Sequence, residues 1–166
     1  MTFKKGFLAF LIISVVGTVG HFLYEWTSHN MFIGYFFPIN ESTWEHLKLL
    51  FFPTLLFSII EYNFVKYEIK NYATSITVSV ITGMLSIIVL FYTYTGILGY
   101  YVDFFNILIY YIALIIMLII KNKLIESEKL KSQVATTVSL IILFVIALLF
   151  IIYTYNPPII ALFKTP

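Results

Sequence analysis

The 166-residue chain contains no cysteine and no arginine. The first absence excludes disulfides, thiolate metal ligands and cysteine nucleophiles. The second leaves all ten basic residues as lysine, so no guanidinium can grip a phosphate or carboxylate with two parallel hydrogen bonds. Charge is scarce as well: 11% of residues carry one, against about a quarter in a soluble domain. The formal net charge of +2 is too small and too scattered to hold nucleic acid. Glycine-rich phosphate loops, serine nucleophile elbows and the His-Glu-x-x-His pattern are also missing.

What is present is apolar. Hydrophobic residues make up 61% of the chain and aromatics 19%, with thirteen Tyr and seventeen Phe. The apolar residues come in long runs, which identifies an integral membrane protein whose lipid bilayer is its first partner, with aromatic belts at the interfaces. We expect an all-α fold, a single bundle of five transmembrane helices forming one transmembrane domain over residues 1–166. The spans are expected at about 6–26, 43–65, 72–94, 104–120 and 134–153. The basic start and first run also fit a signal peptide, with Thr18-Val19-Gly20 as a weak cleavage site. The run continues into Tyr24 and Trp26 and further spans follow, which favours an uncleaved helix.

Details within the spans carry more expectations. In the first, Ser14, Gly17, Thr18, His21, Glu25 and Ser28 recur at three- and four-residue steps, a small-and-polar stripe that should face protein. Ser28 to Asn40 reads as a loop. The uninterrupted apolar part of the second span, Leu49 to Ile60, is too short to cross alone, so Lys48 is expected to snorkel outward. Pro53 removes a backbone donor and predicts a kink near Leu49. Ser75, Ser79, Gly83 and Ser86 give the third span a small packing face.

Five spans put Lys4, Lys5, Lys66, Lys70, Lys121, Lys123, Lys129 and Lys131 on one side, leaving Lys48 and Lys164 for the other. The positive-inside rule then sets the N-terminus in the cytoplasm and the C-terminus outside. His21, Glu25, His29, Asn40, Glu41, Glu45, His46, Asp103 and Asn106 all gather on the outer side.

The densest polar stretch is Asn40-Glu41-Ser42-Thr43-Trp44-Glu45-His46-Leu47-Lys48. His21 and Glu25 share a helical face four residues apart, as do Glu41 and Glu45, with His46 adjoining. Two helices offering imidazoles and carboxylates match a divalent metal site, zinc for example, with His21, Glu25 and His46 as ligands and Glu45 or Glu41 as general base. Each residue has a plainer reading beside this. Ser42 and Glu45 fit a capping box, Glu25 with Lys48 fits an ion pair, and His46 fits an interfacial histidine. Lys48 is also placed to neutralise Glu41 or Glu45, which would weaken a metal site. Asp103 with Asn106 reads as a helix cap, Glu61 as a partner of Lys66, and His29 as a solvated loop histidine.

The patterns Gly20-His21-x-x-Tyr24-x-Trp26 and Pro38-x-Asn40-Glu41-Ser42-x-Trp44-Glu45-His46-x-Lys48 resemble those of a family of small bacterial integral membrane proteins of unknown function. The ending from Pro157-Pro158 through Leu162-Phe163 to Pro166 is similar to that family's, with Thr165 where the pattern often carries Asp. The resemblance implies a multi-pass protein of the cytoplasmic membrane and brings no activity, substrate or cofactor with it. Three functions stay open on the residues. One is a metal-dependent membrane hydrolase acting on a lipid or other amphipathic substrate. Another is a component that binds or passes an ion or small solute. The third is a non-catalytic membrane subunit working with a partner subunit or a second copy of itself.

Overall fold

The computed structural model describes residues 3–65, 69–127 and 130–166. Among them the chain forms α1 (Phe3–Trp26), α2 (Met31–Gly34), α3 (Thr43–Val65), α4 (Tyr72–Leu98), α5 (Asp103–Glu126) and α6 (Gln133–Tyr155), then a 3-10 turn at Ala161–Phe163. All but α2 are long and apolar enough to span a membrane. The segment between α1 and α3 is not all loop, because Asn30 caps the single turn of α2. Its side-chain oxygen accepts from the Phe32 and Ile33 N–H groups at 2.9 and 3.4 Å. Lys66, and with it the expected Glu61–Lys66 pair, falls outside the described residues, as does Lys129.

Consecutive long helices run antiparallel, and α3 touches α1, α4, α6 and the 3-10 turn. We call the end where α1 finishes and α3 and α5 begin the upper end. Phe7, Leu11, Val15, Phe22 and Trp26 form an exposed stripe along α1, while Ala9, Ile13, Ser14, Gly17 and Gly20 are buried against the bundle. The polar stripe of α1 therefore faces protein at Ser14 and Gly17 but is exposed at Glu25 and Ser28. Past Trp26 the helix is over: Ser28 and His29 adopt left-handed backbone conformations, φ 54° and 61°.

Gly17 sits at the closest helix crossing. A Cβ there would lie 2.1 Å from the Tyr110 hydroxyl and 2.8 Å from the Leu49 carbonyl oxygen. That carbonyl is the one Pro53 leaves without its helical donor, since proline has no N–H to give residue i−4. The Tyr110 hydroxyl lies 3.4 Å from it and 3.2 Å from the Ile13 carbonyl. One phenol from α5 thus serves the backbones of α1 and α3 where they meet. On α4, Ser75, Ser79 and Gly83 are buried, and Thr74 and Thr77 join Ser139 of α6 at 3.2 Å.

Toward the lower end, Glu61 of α3 pairs with Lys121 of α5 and accepts from the Tyr72 hydroxyl of α4 at 2.6 Å. Lys121, just past the expected end of the fourth span, is 2% exposed. Helix α5 extends past its apolar run and carries this lysine inward, where a carboxylate and the Phe57 and Tyr72 rings receive it.

Candidate metal centre

The connection from α2 to α3 ends in a tight turn. The Asn40 side-chain oxygen accepts from the Ser42 N–H at 2.9 Å, and the Ser42 hydroxyl accepts from the Glu45 N–H at 3.4 Å to start α3. Glu41 lies inside this turn, one helical turn ahead of His46. Its Oε2 is 3.3 Å from His46 Nε2 and 3.6 Å from Nε2 of His21, which α1 brings alongside. The two Nε2 atoms are 3.2 Å apart.

A tetrahedral ion bound at 2.0–2.1 Å requires donor atoms about 3.3–3.4 Å from one another. The edges of the His21–Glu41–His46 triangle bracket that length. The ring of His46 is already oriented for such a role. Its Nδ1 is 2.9 Å from the Ser42 carbonyl, which can only accept, so Nδ1 carries a proton and Nε2 is the nitrogen turned into the triangle. Two imidazole nitrogens and a carboxylate oxygen this close repel unless a proton or a cation lies among them. Hydrogen bonds from the His21 and His46 side chains hold the Glu41 carboxyl well below the usual carboxylate range, against a smaller opposing effect of burial. The triangle is open rather than sealed: the Glu41 side chain is 66% exposed, and those of His21 and His46 are about half as exposed or less.

Below the triangle lies a cavity of about 660 Å³ between α1, α3, α4 and α5. His21, Glu41 and His46 line its upper part together with Asp103 and Asn106, and Thr165 and Pro166 border it. The tail reaches this point because Phe163 packs on Trp44 at 4.7 Å and Tyr153 at 5.5 Å between ring centroids.

The sequence model of a family described as a family of unknown function, DUF6512, matches residues 2–166. The chain belongs to the DUF6512 family. No curated protein and no solved structure matches it.

The remaining candidates of this DUF6512 chain are placed as follows. Glu25 is exposed one turn beyond His21 and is not part of the triangle. Glu45 is 2% exposed and does not line the cavity. It does reach back as a capping glutamate would, but past the cap, accepting from the Ile39 N–H at 3.0 Å. Lys48 does not snorkel and does not pair with Glu25; it is fully buried. Its ammonium donates to the Glu45 carboxylate at 2.7 Å, the Gly34 carbonyl at 2.9 Å and the Thr154 hydroxyl at 2.5 Å. Three donors meet three acceptors, which is what lets a lysine be buried here. His29 is exposed, edge-on to Tyr24 at 5.1 Å. Asp103 does not cap α5: Val102 holds that position without a side-chain cap bond, and Asn106 accepts instead from the Tyr94 hydroxyl at 2.5 Å.

Sequence reading missed the burial of Lys48 and the roles of Thr154 and Lys121. The pairing of Lys48 with Glu45 was signalled by their i, i+3 spacing. Nothing local could connect Thr154 or Lys121 to partners so far away in the chain.

Proposed function

We propose that this protein is a membrane-embedded, divalent-cation-dependent hydrolase acting on a lipid or similar amphipathic substrate. One observation carries the reading: three donor atoms spaced for a tetrahedral ion stand on the wall of a cavity lined largely by apolar side chains. In this reading His21, His46 and Glu41 would hold the ion at the cavity wall. A divalent ion there supplies a Lewis acid and lowers the pKa of water to about 7. The chain's own groups do the rest. The Ser42 carbonyl fixes the His46 tautomer, and the second oxygen of Glu41 takes the proton of the attacking water. That proton passes to the leaving alcohol as the ester or phosphoester bond breaks.

We place the N-terminus in the cytoplasm and the site at the outer face of a cell membrane, on the strength of the lysine distribution. Burial and pairing of Lys121 removes one lysine from that argument and leaves the majority on the same side.

Elemental analysis of the detergent-purified protein tests the reading. One equivalent of a divalent transition metal per chain is expected, lost in His21→Ala and His46→Ala while the helical circular dichroism is kept. A wild-type protein that is metal-free and whose unfolding temperature does not rise with added zinc, manganese or cobalt rules it out.

A further inference from the structure

The cavity beneath the triangle has a direction. Along α3 its lining descends from Thr43 through His46 to Leu49, and along α5 from Asp103 through Asn106 to Ile109 and Tyr110. At 1.5 Å per residue this is a depth of about 10 Å. The upper level holds the imidazoles, Glu41, Asp103 and Asn106; the lower level holds Leu49, Ile87, Phe91 and Ile109. Its floor is the crossing where the Tyr110 hydroxyl meets the Ile13 and Leu49 carbonyls. Polar above and apolar below is the polarity of a lipid: headgroup linkage first, hydrocarbon beneath.

The side walls differ from one another. Between α1 and α5 the seam is stitched low down, by the Thr18–Tyr111 hydroxyl contact at 3.2 Å and the Phe10–Tyr111 ring contact at 6.3 Å. Above the stitch, Phe22 of α1 and Ile107 of α5 line the cavity and are also 44% and 60% exposed. They therefore belong to the inner wall and the outer surface at once, which marks an opening there. Its edges are a phenyl ring and a branched alkyl group at membrane depth, a passage suited to hydrocarbon and not to a hydrated solute. The top is bordered by Thr165 and Pro166, fastened through Phe163 on Trp44.

We propose that the cavity binds one hydrocarbon chain of a bilayer lipid, entering sideways between Phe22 and Ile107, with the lipid's ester or phosphoester linkage at the His21–Glu41–His46 level. The chain-binding part stands on the cavity and its side opening, and only the meeting of linkage and ion rests on the hydrolase reading.

A photoreactive lipid separates the two. The full-length protein is reconstituted in vesicles containing phosphatidylglycerol with a diazirine on one acyl chain, irradiated, and its adducts are mapped by mass spectrometry. Leu49, Ile87 and Ile109 are each under a tenth exposed, so a lipid on the outer surface cannot label them. Adducts at these positions are expected, falling about tenfold in Phe22→Trp and Ile107→Trp, where a bulkier ring fills the opening. Both sites are exposed, so the variants should fold and keep the wild-type metal content and unfolding temperature. Labelling confined to outward residues such as Leu11 and Ile112 overturns the proposal. So does interior labelling that both tryptophans leave unchanged, because the lipid then enters from the top. A metal-free wild type with interior adducts refutes the hydrolase reading and leaves the lipid site standing.

Discussion

Glu41 and Glu45 are four residues apart, and the fold treats them in opposite ways. Glu45 is 2% exposed and tied to Lys48, whose three protons are all placed, so its charge is matched within the protein. Glu41 is 66% exposed in its side chain and faces two imidazoles, one already committed to the Ser42 carbonyl through its other nitrogen. The first arrangement is closed and has no room for another ligand. The second gathers two imidazole nitrogens and a carboxylate oxygen that a proton or a cation can bridge. The Glu61–Lys121–Tyr72 cluster at the lower end repeats the closed design. The partner, lysine or histidine, separates a carboxylate that holds helices together from one that can hold something else.

Breaking the closed cluster should have the largest effect. Lys48→Ala strands the Glu45 carboxylate in the interior and should cost about 3–5 kcal/mol, read as a lower unfolding midpoint in detergent. Replacing both partners, Glu45→Leu with Lys48→Met, should recover much of that loss; no recovery would mean that the pair does more than satisfy itself. Glu61→Ala strands the Lys121 ammonium and should lie at the lower end of the same range of about 3–5 kcal/mol, since the Phe57 and Tyr72 rings still face that charge.

At the open site the balance should reverse. Glu41→Gln and His46→Ala should each change stability by less than about 1 kcal/mol without metal, yet lower metal content at least tenfold. A stability loss as large as that of Lys48→Ala would make the triangle structural and erase the contrast. The smallest and most specific effect is in pH. The depressed Glu41 carboxyl stays ionised from pH 5 to 8, and its contribution to stability, present above the ordinary carboxylate range, is lost only in stronger acid. Metal content should be full near pH 8 and fall in acid, where protons compete with the metal for its ligands. Release only in acid stronger than the ordinary carboxylate range would point to the Glu41 carboxylate.

The five long helices were legible because the apolar runs are closed by charge, glycine or proline and four of them are long enough to cross a bilayer, while the second reaches that length only with its polar start. That the ends of α1 and α3 approach each other was also legible, because ionisable groups in so apolar a chain need company. The choice between Glu25 and Glu41 was not. Helical spacing sets Glu25 on the His21 face, but the backbone turn at Asn40–Ser42, which no periodicity describes, is what directs Glu41 to both imidazoles. Lys48 was misread because a lysine near a helix end ordinarily reaches for water. The acceptors that hold it inside come from α2 and from Thr154, more than a hundred residues away.

Two of the three prospective ligands ride on long rods whose positions the whole bundle dictates, while the third hangs from a turn only three residues wide. The rods fix where an ion would sit; the turn decides how close the carboxylate comes and at what angle. A change at residue 41 would therefore alter how a carboxylate meets an ion while leaving every span its own contacts.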